Sequence, residues 1–111
     1  MIGTKERASV AARRKGREHL RSFEAIGDRL RLSRMATGLD QTNYARACAI
    51  AQNTYNQYER GKSRPSLDHA FCLCDTYNLT LGWIYDGDAS GLPPSLHAAI
   101  MALRATVQRR T

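Results

Sequence analysis

No stretch of this 111-residue sequence reaches the roughly 18 consecutive apolar residues that a membrane span requires. The N-terminus also lacks the apolar core of a secretory signal, so the sequence predicts a cytoplasmic chain with no membrane partner. Cysteine is sparse and odd in number: Cys48, Cys72 and Cys74 contain no C-x-x-C pair. His19, His69 and His97 are scattered, none at zinc-ligand spacing from a cysteine pair, which argues against a metal site. The thiols are therefore read as reduced, with Cys48 and Cys74 filling core space. Asp86-Gly87-Asp88 is too short a ligand series for a calcium loop. Nor is there a nucleophile–base pair in motif context, a pair of carboxylates or a phosphate-cradling glycine loop. The expectation is a protein with no cofactor and no catalytic function.

What the sequence does hold is the composition of one small helical domain. Hydrophobic residues make up 42% and aromatics 7%, enough for a modest core. The net charge of +7 is unevenly placed. Residues 1–22 carry seven basic and two acidic side chains, residues 26–90 carry seven of each, and residues 92–111 add Arg104, Arg109 and Arg110 with no acid. A neutral body with basic ends predicts tails drawn to a polyanion. Residues 1–22 have few large apolar groups and read as a basic, flexible N-terminal arm. Its densest cluster is Arg13, Arg14, Lys15 and Arg17, the set such an arm would place in a DNA minor groove. A plain solvated tail is the competing reading.

The remainder reads as all-α. A domain over residues 23–88 is followed by a linker at 89–94 and a C-terminal amphipathic helix at 95–111. The first helix runs from Phe23 or Glu24 to Thr37, with Ile26 and Leu30 on one face and Arg34 continuing their line. Gly38 stops it, Leu39 packs back, and Asp40 caps the second helix, whose inner side is Tyr44, Ala45 and Cys48. Ile50 is buried in the turn before a third helix, which Gly61 closes. Pro65 ends a basic loop, and Ser66 caps a fourth helix with an apolar stripe of Leu67, Ala70, Phe71, Cys74 and Tyr77. Thr80 caps a short fifth helix with Leu81, Trp83 and Ile84. In the sixth, Leu96, Ile100, Leu103 and Val107 form a heptad-like seam too short to stand alone. It needs a partner surface, either its own domain or a second copy of the chain.

The third helix is unusual in its polar face. Tyr55 and Tyr58 turn inward, while Gln52, Asn53, Asn56 and Gln57 share one stripe at helical spacing. Side-chain amides offer paired donors and acceptors without net charge, which suits hydrogen bonding to base edges. A solvated amide face is the bland reading of the same residues.

Arg34, Gly38-Leu39, Gln41, Ala45, Tyr58-Glu59-Arg60-Gly61, Arg64-Pro65-Ser66, Leu67 and Trp83 stand in a familiar order and spacing. On these, residues 26–87 resemble the lambda-repressor/Cro type of helix-turn-helix domain, the xenobiotic-response-element (Xre) family of bacterial and phage regulators. The resemblance implies a five-helix lambda-repressor-like domain with an extra C-terminal helix. It further implies that Gln41 anchors a phosphate and that Gln52, Asn53 and Gln57 face base edges. Asn56 and Thr54 would be second-rank contacts. Arg60, Lys62 and Arg64 would grip the DNA backbone. Arg34 and Glu59 match the family's partly buried ion pair. The chain departs from the pattern at Ala49, where the turn usually has glycine, and at Ala51, where the third helix usually has a Ser or Thr cap. Tyr44 and Cys48 replace leucines.

The resulting expectation is a sequence-specific regulator of transcription that binds double-stranded DNA. The favoured form is a repressor on a palindromic operator, acting as a homodimer paired through Leu96, Ile100, Leu103 and Val107. An antitoxin or mobile-element control protein would use the same helix, and a protein-binding adaptor would use the fold without DNA. No partner protein can be named from the sequence.

Overall fold

The computed structural model describes residues 16–110, the last two by backbone alone. A 3-10 turn at Glu18–Arg21 precedes α1 (Phe23–Met35), α2 (Gln41–Arg46), α3 (Gln52–Glu59), α4 (Leu67–Tyr77), α5 (Leu81–Asp86) and α6 (Pro94–Arg110). No strand occurs among the described residues, in agreement with the all-α expectation. Four helix starts are fixed by side-chain oxygens that accept from otherwise unpaired backbone N–H groups. Ser22 accepts from Ala25, Asp40 from Asn43, Ser66 from His69 and Thr80 from Trp83. Only the Ser22 cap was unforeseen.

α1 is the axis of the domain and packs against α3, α5 and α6. Ile26 and Leu30 are buried on it, as their spacing predicts. The approach to α3 is unusually close. A Cβ built on Gly27 would lie 2.6 Å from the carbonyl oxygens of both Tyr58 and Glu59, so the helices meet backbone to backbone at a residue with no side chain. Tyr44, Ala45, Cys48, Ile50, Tyr55 and Tyr58 complete the buried side of α2 and α3. The Tyr77 ring stacks on Tyr44 with centroids 3.9 Å apart, and its hydroxyl donates to the Tyr44 carbonyl. Trp83 is buried at the centre and donates through Nε1 to Ser33 Oγ at 2.8 Å.

Several expectations are corrected. The buried stripe of α4 is Ala70 and Leu73, with Cys74 and Tyr77 beside them, whereas Leu67 and Phe71 are 58% and 50% exposed. Both stripes satisfy helical spacing, and the stacking of Tyr77 on Tyr44 turns inward the face one turn before Tyr77, which carries Leu73 rather than Phe71. Leu39 does not pack back; it is exposed, and its carbonyl accepts from Arg34 instead. α1 ends at Met35 and passes into a turn before Gly38, short of Thr37.

The end of the presumed arm belongs to the domain. Arg21 donates to Asp86 at 2.7 Å, and Arg17 pairs with the same carboxylate at 3.6 Å. Behind them Arg29, 4% exposed, donates from Nη2 to the Leu20 and Ile84 carbonyls and so ties the 3-10 turn to the end of α5. Burial, with Arg104 nearby, lowers the Arg29 pKa. Arg17 is thus engaged at Asp86, while Arg13, Arg14 and Lys15 lie outside the described residues.

The last helix docks on its own domain. Ile100 is fully buried, and Leu96 and Leu103 are half-buried against the same core. Arg104 lies over the Trp83 ring at 5.7 Å. Of the four seam residues proposed for pairing, only Val107 points outward, at 47% exposure. The seam is covered from within because α1 offers it an apolar surface beside Trp83.

Candidate nucleic-acid interface

The site is built on α2, α3 and the loop that follows. The turn between the two helices is short because Ile50 N donates back to Ala45 O while Ala49 sits at φ 54. That is the left-handed region, where glycine is unstrained and alanine is not. Ala51 supplies no capping side chain to α3, as expected from its chemistry. The turn therefore carries both departures noted in the sequence, and α3 still follows at once.

α3 presents its polar residues unequally. Gln52 and Asn53, at its start, are exposed, whereas Thr54, Asn56 and Gln57 are half-buried. Tyr55 and Tyr58 anchor the opposite side: the Tyr55 hydroxyl reaches the Leu30 carbonyl at 3.4 Å, and the Tyr58 hydroxyl meets His69 Nδ1 at 2.8 Å. Past the helix, Gly61 at φ 72 turns the chain, and Arg60, Lys62 and Arg64 are all exposed. Arg64 lies over the Phe23 ring at 5.0 Å, which holds its guanidinium beside the start of α1.

A line of hydrogen bonds joins the core to the exposed end of α3. Arg34 Nε and Nη2 donate to the two Glu59 oxygens at 2.7 and 3.1 Å. Gln41 Nε2 donates to Glu59 Oε1 at 3.0 Å, and Gln52 Nε2 donates to Gln41 Oε1 at 3.0 Å. Burial alone would raise the Glu59 carboxyl, but hydrogen bonds from Arg34 and Gln41 outweigh it and hold its pKa below the ordinary value. The Arg34 pKa is raised, chiefly by its hydrogen bond to Glu59. Arg31, 3.9 Å from the same carboxylate, adds a weaker contact.

Gln41, expected at a phosphate, also makes two contacts within the protein. Its amide bridges Glu59 and Gln52 and leaves it half-buried at the start of α2. The Gln52 carbonyl end remains on an exposed residue, and Asn53 stands beside it. The spacing of Gln41 and Gln52 gives no sign of their contact, because it runs across two helices and depends on the tightness of the turn. The engagement of Arg64 with Phe23 was equally hidden.

Chemically, the surface can offer amide donors and acceptors from a protruding helix start, flanked by three exposed cations. Helix-turn-helix units that bind DNA place the first residues of the second helix against base edges. The described residues hold no cluster of His, Cys, Asp and Glu suited to a metal ion, and no helix long and apolar enough to cross a membrane.

No curated protein and no solved structure matches the chain. The model of the helix-turn-helix domain matches residues 25–82, just over half of the chain. That span takes in most of α1, all of α2 to α4, the start of α5 and every residue of the line from Arg34 to Gln52, and on this match the chain belongs to the helix-turn-helix domain family.

Proposed function

We propose that this protein is a sequence-specific, double-stranded DNA-binding regulator of transcription of the lambda-repressor/Cro (Xre) type, a binding protein rather than an enzyme. α3 enters the major groove, where Gln52 and Asn53 read base edges and Asn56 and Gln57 lie deeper on the same face. Arg60, Lys62 and Arg64 contact phosphates. Gln41 meets a phosphate only through the part of its amide not held by Glu59 and Gln52. The single observation that carries this reading is the exposed Gln52, steadied by Gln41 at 3.0 Å on a carboxylate that Arg34 fixes. A side chain held before contact loses less freedom on binding.

Repression from a palindromic operator by a pair of copies is the form we favour, since two-fold pairs of such domains read half-sites about one helical turn apart. Leu67, Phe71 and Val107, the most exposed of the large apolar side chains among the described residues, are candidate surfaces for pairing.

Selection from a random duplex pool, followed by titration against salt, tests the proposal. Recovery of a site with two-fold symmetry and an affinity that falls steeply with salt is expected. Gln52→Ala should lose preference for the selected site by roughly 1–3 kcal/mol, while Arg64→Ala should weaken all duplexes alike and reduce the salt slope by about 1. Failure to bind any duplex at low salt would overturn the reading and favour a protein-binding adaptor.

A further inference from the structure

Two thiols with no part in the surface above converge on one hydroxyl. Cys48 Sγ lies 3.5 Å from Thr76 Oγ1, and Cys72 Sγ lies 3.9 Å from the same oxygen. Cys48 is buried just after α2 and directly precedes the left-handed Ala49, while Cys72 is half-buried on α4. We propose that Cys48 and Cys72 form a site of reversible oxidation, closing as an intramolecular disulfide that ties the α2–α3 turn to α4.

The geometry sets both the partners and the order of events. A disulfide needs sulfurs about 2 Å apart; the two sulfurs are brought to one hydroxyl, so closure requires side-chain rotation together with movement of α4 relative to the turn. Cys72 is the more accessible and meets the oxidant first. Its thiolate attacks hydrogen peroxide, breaks the O–O bond and becomes a sulfenic acid as hydroxide leaves. The Cys48 thiolate then attacks the Cys72 sulfur and expels the sulfenic oxygen as water. In sum, two thiols give up two electrons and two protons, and one peroxide becomes two waters. Burial pushes the Cys48 thiol up to about 11, which keeps it protonated at neutral pH and favours closure at higher pH. Cys74 sits two residues beyond Cys72, which turns it away around the helix and makes it an internal control.

The test oxidises the full, reduced chain with hydrogen peroxide at high dilution, blocks free thiols with N-ethylmaleimide, and maps the products by mass. The expected result is a monomer lighter by two hydrogens, a Cys48–Cys72 linked peptide, a single label on Cys74, and reversal by dithiothreitol. Cys72→Ser, at a half-buried position, should give no internal link. Labels on all three cysteines, a link that includes Cys74, or links only between chains would each overturn the proposal. The outcome does not depend on whether α3 binds DNA.

Discussion

Arg34 on α1 and Glu59 on α3 are joined by two hydrogen bonds, of 2.7 and 3.1 Å, and Glu59 is only 3% exposed. A carboxylate so placed is tolerated because its oxygens are occupied. Arg34→Met removes the donor and strands the charge, and should lower the unfolding free energy by about 3–5 kcal/mol. The double variant Arg34→Met with Glu59→Met should be less damaging than the sum of the two single changes, as measured by urea unfolding.

The same carboxylate predicts an acid limb of stability. Its folded pKa is lowered, so the stabilisation it supplies is fully present above the unfolded value of about 4.3 and is lost as pH falls through the folded value. In that window the unfolded chain binds more protons than the folded one. Urea midpoints taken from neutral to acid pH should therefore fall more steeply for the native chain than for Glu59→Gln.

Ala49 should be improvable. At φ 54 an alanine carries a strain that glycine lacks, and its side chain is exposed, so Ala49→Gly should raise the unfolding free energy by about 1 kcal/mol. Ala51→Ser should add roughly 1 kcal/mol by supplying the absent cap of α3. A drop in thermal midpoint for either variant would contradict the geometry of the turn.

Gly27 should tolerate nothing larger. Its would-be Cβ lies 2.6 Å from two backbone oxygens, which have no rotamer to move, so Gly27→Ala must push α3 off α1. A loss of about 2–3 kcal/mol is expected, against the gain that alanine brings to an open helix interior. The sign of the change, read by denaturant unfolding, decides the matter.

Tyr44 presents the opposite case. Its ring is fully buried and stacked on Tyr77, yet its hydroxyl has no hydrogen-bond partner among the described residues. Tyr44→Phe keeps the stacking and removes an unsatisfied donor, so it should be neutral or stabilising by about 1 kcal/mol. A clear loss would mean that the hydroxyl has a partner in solution.

Element order, caps and the amide face of α3 were legible because each depends on neighbours within one or two turns of chain. Asp40, Ser66 and Thr80 act as caps through local chemistry, and Ile26 with Leu30 through simple periodicity. Contacts that join distant segments were not legible. Leu73 is buried in place of Phe71 because Tyr77 must reach Tyr44, which no spacing within α4 reveals. The burial of Arg29 was likewise hidden, because it depends on two carbonyls from residues 20 and 84. The seam of α6 was read correctly as apolar, but periodicity does not say which surface will receive it.

The bridge formed by Gln41 carries a consequence for how binding preference can drift. If α3 reads sequence, the orientation of Gln52 is a property of Arg34, Glu59 and Gln41 together, none of which need meet a base. A genetic screen for altered operator choice would then return substitutions at these supporting positions as well as on the exposed helix. Mapped onto the sequence alone, such mutants would look like folding defects.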